Sequence, residues 1–389
     1  MVTALLFAAM CAAVSSARSL SASDLTALYG PPRRVTGPTR AQLPPLDAAQ
    51  SLKDAAKAAG IYIGAAINVN GMSGGQGGSI YPDTALTQFN LFTAENECKV
   101  GPVHPREGNA PSSFDFQPCD AIMAAGPANG SVARMHNFCW DTENPAWLNA
   151  LKDPAALSSA LTLHIQNMTA RYLGNASLAY YAVDVVNEAV ADGGASILKP
   201  TTPWYPALPD YVERAFVAAN AADAAKASLL CYNDYGAEGY SSAKAKKVIA
   251  LINQVRAAAG ARVDCVGLQM HISVDQHPDP ADVAENIRQL GLLGLTVHIT
   301  ETDIKCPNCD SGRLQAQAQL YSDMLQACLN NTNCKSFETW GIYDGDSWVG
   351  ADNAPLLWDA SWKTKPAYDA VLSTLQRHAA ALAARAPRV

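Results

Sequence analysis

Eight times between residues 61 and 344, an apolar, β-branched run gives way to an Ala-rich amphipathic stretch. The runs are I-Y-I-G-A-A-I-N (61–68), F-N-L-F-T-A-E-N (89–96), V-A-R-M-H-N-F-C-W (132–140) and Y-Y-A-V-D-V-V-N-E (180–188). They continue with S-L-L-C-Y-N-D (228–234), C-V-G-L-Q-M-H (265–271), L-T-V-H-I-T-E-T-D-I (295–304) and S-F-E-T-W-G-I-Y-D (336–344). Apolar runs of this length read as strands buried on both faces. Helices are predicted over 210–227, 243–259, 280–290 and 313–329, and a short one is stopped by Gly60. Repeated β-then-α units in one chain predict an α/β fold, a closed (β/α)8 TIM barrel. The rival is an open doubly wound sheet, but no G-x-G-x-x-G opens a helix after the first strand. The Gly-rich segment 71–78 lacks the lysine of a phosphate loop and reads as a flexible surface loop.

The chain ends around this unit divide cleanly. Residues 1–17 combine an apolar run with small residues near Ala17 and read as a secretory signal, although no positive charge precedes the run. Residues 18–46, rich in Pro, Arg, Ser and Thr, read as a linker or arm; 47–378 as the barrel; and 379–389 as an Ala/Arg tail. No later run approaches the ~18 to 20 apolar residues of a membrane span. With 16% charged residues and a net charge of -7, neither a nucleic-acid footprint nor a polybasic membrane surface is present. Sequons at Asn129, Asn167, Asn175 and Asn330 and ten cysteines fit an extracellular, oxidising destination.

The strands end in polar residues that a buried run would not carry without a purpose. In a barrel, catalytic side chains come from such C-terminal ends. The second run supplies Glu95, Asn96 and Lys99, the third His136 and Trp140, the fourth Asn187 and Glu188, and the fifth Asn233 and Asp234. The sixth supplies Gln269 and His271, the seventh Glu301 and Asp303, and the eighth region Trp340 and Trp348. Two strand-end glutamates, Glu188 and Glu301, with hydroxyl-directed polar groups and aromatic platforms suit glycoside hydrolysis. One carboxyl would protonate the leaving oxygen, and the other would attack the anomeric carbon or activate water.

Seven motifs then resemble one family, the endo-β-1,4-xylanases of glycoside hydrolase family 10. They are T-A-E-N-E-C-K, D-V-V-N-E-A-V-A-D-G-G, C-Y-N-D-Y, D-C-V-G-L-Q-M-H, H-I-T-E-T-D-I, W-G-I-Y-D-G-D-S-W and L-L-W-D-A-S-W-K-T-K-P-A-Y, spread from about Ala48 to Leu375. The resemblance implies a TIM barrel that cleaves xylan internally with retention. It makes Glu188 the general acid/base, Glu301 the nucleophile, and Asn187 the partner of the sugar 2-hydroxyl. It has His271 and Asp303 orient Glu301, and sets Gln269 between the carboxylates. Glu95, Asn96, Lys99, His136, Trp140, Trp340 and Trp348 would line the glycone side. It implies no cofactor and no metal, and xylan is the expected partner of a secreted monomer. Three positions depart from the pattern: Val100 stands where a Trp usually follows the Lys, and W-H-S-Q becomes W-D-T-E, with Asp141 and Glu143. The alternatives are a β-1,4-glucan-active relative and an inactive carbohydrate-binding barrel, the latter opposed by retention of both glutamates.

Cys11 leaves with the signal, so the odd remainder implies a free thiol. Cys231 and Cys265, at matching places on neighbouring strands, could pair or stay as buried thiols. Cys328 and Cys334 flank a short loop that a disulfide could close, which the resemblance also suggests. Cys306 and Cys309 form a C-x-x-C for which a local disulfide is preferred over a redox motif or, with Cys328 and Cys334, a zinc site. Cys98 and Cys139 end adjacent strands and could pair, leaving Cys119 over.

Overall fold

The computed structural model describes residues 50–75 and 77–385, so the expected signal (1–17), the expected arm (18–46) and the last four residues lie outside it. Its strands are β1 (Tyr62–Ile67), β2 (Leu91–Ala94), β3 (Val132–His136), β4 (Tyr180–Asn187) and β5 (Leu229–Asp234). They continue with β6 (Cys265–Leu268), β7 (His271–Ser273), β8 (Thr296–Lys305) and β9 (Cys334–Thr339). Every pairing between them is parallel, and the ring closes through β6 on β8 and β9 on β1. This is the (β/α)8 barrel, with β7 a short continuation of β6 laid along the far end of β8.

The sixth run, expected unbroken over 265–271, is interrupted. Met270 takes a left-handed φ of 67°, and its N–H turns to Glu238 Oε1. The kink lets Gln269 face the barrel mouth while His271 comes into register with Asp303. The third and eighth runs also stop short of expectation, at His136 and Thr339, so Trp140 and Trp340 sit on the loops beyond. The Gly-rich segment is not a free surface loop at its start: Met72 is buried, and a Cβ on Gly71 would collide with the Tyr81 ring.

Outer helices follow each barrel strand. Ser51 caps the first helix, Leu52–Ala59, by accepting from the Asp54 N–H, and Gly60 ends it at φ 73°. Gln88 ties this helix to the last one, Pro366–Arg385, because its Oε1 accepts from both the Leu52 N–H and the Tyr368 hydroxyl. Among the described residues, no helix is long and apolar enough to cross a membrane.

Leu, Ile and Val side chains such as Leu161, Ile165, Val183 and Val297 fill the layer between helices and sheet, and all are fully buried. Each contributes roughly 1.5–3 kcal/mol by leaving water. The barrel interior is less uniform. Arg134, fully buried, pairs with Asp184 and meets His298 Nδ1 at 2.7 Å. Glu338 lies in the same layer, bonded by Thr93 and Ser336 at 2.8 and 2.7 Å.

Disulfides join Cys231 to Cys265 across β5 and β6, Cys306 to Cys309, and Cys328 to Cys334. All four cysteines of the zinc alternative are therefore sulfur-bonded to one another. The pairing of Cys98 with Cys139 is not formed. Cys98 joins Cys119, which the first turn of helix Gln117–Ala128 brings to a Cα separation of 4.8 Å. Among the described residues Cys139 is the free thiol, and its burial pushes its pKa up.

Candidate active site

Because the strands run parallel, their C-terminal ends gather at one rim, and the strand-end residues expected to act together lie there. At the centre is a continuous line of side chains from Glu188 to Asp303. Gln269 Nε2 donates to Glu188 Oε1 at 2.9 Å and lies 3.2 Å from Asn187 Oδ1. Asn187 Nδ2 reaches the same Glu188 oxygen at 3.3 Å. Asn233 Nδ2 donates to Asn187 Oδ1 at 2.9 Å and to Glu301 Oε1 at 2.6 Å. The other Glu301 oxygen meets His271 Nε2 at 3.1 Å, and His271 Nδ1 meets Asp303 Oδ2 at 2.9 Å.

Asn233, expected among the substrate-binding and orienting residues, is a direct holder of Glu301. Its Oδ1 accepts from Thr300 Oγ1 at 2.8 Å, so the amide is fixed from both sides. Gly267, its neighbour on β6, makes room for it: a Cβ there would collide with Asn233 Oδ1.

With a carboxylate at each ring nitrogen, His271 donates from both and is an imidazolium. Burial alone would lower its pKa, but Asp303 and Glu301 outweigh it and push it up to about 10. Trp348 donates its indole N–H to Asp303 Oδ2 at 2.7 Å, while more than half of its surface (59%) stays open. That leaves an anchored aromatic face for a sugar ring.

The expected glycone side forms a second group. Lys99 Nζ donates to Asn96 Oδ1 at 2.7 Å and lies 4.9 Å from the centre of the Trp140 ring. Burial lowers the Lys99 pKa, against the pull of Glu143, Glu301, Glu95 and Glu188. Glu95 is pushed up to about 7, by burial first, opposed by an Asn68 hydrogen bond and reinforced by Asp346. Asn68 Nδ2 bonds Glu95 Oε2 at 2.8 Å and Asp346 Oδ2 at 2.9 Å. His136 is held by Asp184 at 3.0 Å and meets the Trp340 ring edge-on, 5.2 Å between centres. Trp340 is buried, so it supports His136 more than it offers an open platform.

Two participants were not anticipated. Asn68 carries the same signal as the others, a polar residue ending a strand. Lys199, whose Nζ lies 3.6 Å from Glu188 Oε2, comes from an irregular segment with no periodic signal.

Residues 51–374 match the profile of Glycosyl hydrolase family 10. The chain is 33% identical over 333 residues to endo-1,4-beta-xylanase D of Talaromyces funiculosus, covering 84% of this chain and 77% of that protein. It is also 33% identical over 297 residues to endo-1,4-beta-xylanase B of Neocallimastix patriciarum, covering 76% of this chain but only 33% of that longer protein. Among solved structures, native xylanase 10B from Thermotoga maritima superposes with a TM-score of 0.77 at 29% identity, covering 85% of this chain and 99% of that one.

Proposed function

This chain belongs to glycosyl hydrolase family 10, and from that premise we propose that it is a secreted endo-β-1,4-xylanase acting with retention of configuration. The observation that carries the reading is the unbroken line Glu188–Gln269–Asn187–Asn233–Glu301–His271–Asp303 at the barrel mouth. It supports two carboxyls with different surroundings.

Glu301 accepts from an amide and from an imidazolium, donors that suit an anionic nucleophile. Its oxygen attacks the anomeric carbon as the bond to the leaving oxygen breaks, giving a glycosyl ester. Glu188 delivers the proton to that leaving oxygen. Its side chain is 15% exposed and so reaches the cleft, with amides on one oxygen only. In the second step Glu188 takes a proton from water, whose oxygen attacks the anomeric carbon and frees Glu301. The reaction as written needs no cofactor and no metal. Asn187 would hold the 2-hydroxyl, and Glu95, Asn96, Lys99, His136 and Trp140 would hold the glycone.

Secretion is supported by the four disulfides, which suit an oxidising compartment. Glycan attachment is proposed at Asn175 and Asn330, which are exposed. The amides of Asn129 and Asn167 are occupied by the Leu86 and Leu163 carbonyls at 2.8 Å each.

The test is product analysis on xylan, β-glucan and carboxymethyl cellulose, with Glu301→Ala and Glu188→Ala alongside. Xylo-oligosaccharides from xylan alone are expected. Glu301→Ala should lose turnover on every substrate, and Glu188→Ala should lose kcat/KM only where the leaving group is poor, because an activated aryl leaving group needs no acid in the first step. Near-native xylan hydrolysis by either variant would overturn the assignment, and release from the glucans instead would change the substrate. A crystal structure should place the two carboxyls about 5 to 5.5 Å apart.

A further inference from the structure

Asp141 is one of the positions where the chain departs from the pattern it otherwise resembles, and the structure gives it a partner. Lys199 Nζ lies 3.0 Å from Asp141 Oδ2 and 3.6 Å from Glu188 Oε2. The lysine is not a free surface side chain. Val190 and Leu198 form an antiparallel bridge. The Ala191 N–H donates to the Ile197 carbonyl at 2.8 Å, and the Lys199 N–H to the Ala189 carbonyl at 2.9 Å. The excursion after β4 thus folds back and returns Lys199 to the residue that began it. Lys247 Nζ pins the same excursion through the Ala191 and Gly193 carbonyls at 3.2 and 3.0 Å. Lys244 pins it through Asp192 at 2.7 Å. Burial works against the Lys199 ammonium, but Asp141, Glu188 and Asp234 hold its pKa above the ordinary lysine value.

We propose that Asp141 and Lys199 act as a coupled pair of positioning residues that governs how firmly Glu188 keeps its proton, and so sets the alkaline limit of the reaction. The proposal rests on Glu188 being the acid/base. An ammonium beside Oε2 favours the carboxylate, which helps the base in the second step and opposes the acid in the first. Asp141 draws that ammonium to itself at the shorter distance and adds a negative charge on the same side, offsetting the effect. The other charged or titratable groups facing Glu188 are Lys99, Asp234 and Tyr235, with Glu301 and His271 across the line of amides. Asp234 also acts on the Lys199 ammonium, and the Tyr235 ring lies 5.7 Å from it, but among the described residues Asp141 and Glu188 are the two carboxylates within ion-pair distance of Lys199. A histidine at position 141, as in the pattern the chain departs from, would lack this hold on the lysine.

The experiment compares kcat/KM from about pH 4 to pH 9 for the wild type, Lys199→Met, Asp141→Asn, the double variant and Lys199→Arg. Two substrates are used: xylan, and a dinitrophenyl xylobioside whose leaving group needs no acid. On xylan, Lys199→Met should move the alkaline limb up and Asp141→Asn should move it down, each by about half a unit or more. The double variant should return towards wild type, and Lys199→Arg should keep the wild-type limb. On the aryl substrate the alkaline limbs should stay together. Parallel losses on both substrates at every pH, or limbs that coincide on xylan, would overturn the proposal. If Lys199→Met does not fold, Asp141→Asn alone must still lower the limb, and an unmoved limb overturns the proposal. A wild type that leaves xylan intact would instead overturn the functional reading beneath it.

Discussion

Asn233→Ala removes the one residue that joins the two halves of the site. Its amide nitrogen donates to Glu301 Oε1 at 2.6 Å and to Asn187 Oδ1 at 2.9 Å, and its oxygen accepts from Thr300 at 2.8 Å. A hydrogen bond to a charged partner contributes about 1.5–3 kcal/mol. If that contribution is expressed in placing the nucleophile, kcat/KM falls roughly 10- to 150-fold. Folding suffers separately. The Thr300 hydroxyl loses its acceptor in a fully buried setting, at a cost of about 1–3 kcal/mol, whereas Asn187 Oδ1 retains Gln269. A nucleophile, the role proposed for Glu301, serves every substrate, so the loss should be equal on xylan and on an activated aryl xylobioside, unlike the loss in Glu188→Ala. Activity on both substrates and a denaturant melt of the same preparation decide the matter. A variant that is destabilised as calculated yet within about threefold of wild type would show that Asn233 supports the fold alone, and the reasoning would fail.

Two further outcomes follow from the same contacts. Replacing Cys98 and Cys119 by serine opens a loop spanning 21 residues of sequence separation. This should cost about 3 kcal/mol in a denaturant melt, and peptide mapping should find Cys139 alkylated only after unfolding; a Cys98–Cys139 linkage would contradict the structure. Stability should also fall from mildly acid to alkaline pH. Burial foremost pushes Glu95, Asp234 and Glu338 up to about 7 and Asp344 up to about 6. A raised folded pKa stabilises fully below the unfolded value, about 4 for a carboxyl, and that stability is lost as pH rises through the folded value. His271 adds the same trend from about 6.5 upward, lost through about 10. Asp184 acts oppositely: burial would raise its pKa, but Arg134 and His136 hold it low, so its stability is lost on acidification. His164 and His298, whose pKa values burial pushes below the ordinary imidazole range, also lose stability on acidification below about 6.5. Calorimetry should therefore show Tm falling from about pH 6.5 to pH 8, and a Tm that climbs over that window would refute this.

The site was legible wherever parallel strands end. In a barrel all such ends reach one rim, so Glu188 just past β4 and Glu301 on β8, distant in sequence, meet without any local signal between them. The same rule placed Asn233, Gln269 and His271 at the mouth. It did not say which would touch which, because that depends on the break at Met270 and on the space left by Gly267. Lys199 was illegible because its position follows from a bridge between Val190 and Leu198 that leaves no periodic trace. Cys119 escaped because its pairing is set by where a helix begins, not by a strand end. Arg134 is the instructive case. Within V-A-R-M-H it reads as an interruption of an apolar strand, yet it is fully buried and paired with Asp184, which in turn holds His136. An unpaired ion there would cost several kcal/mol, so replacing Arg134 or Asp184 alone should destabilise more than replacing both. His136, proposed to face the sugar, is therefore positioned from beneath by a charge pair, just as Glu301 is positioned from beside by Asn233 and His271. Asp184 aims His136 from the neighbouring β4, whereas Glu301, within β8, is aimed by His271 on the adjoining β7 and by Asn233 reaching across from β5.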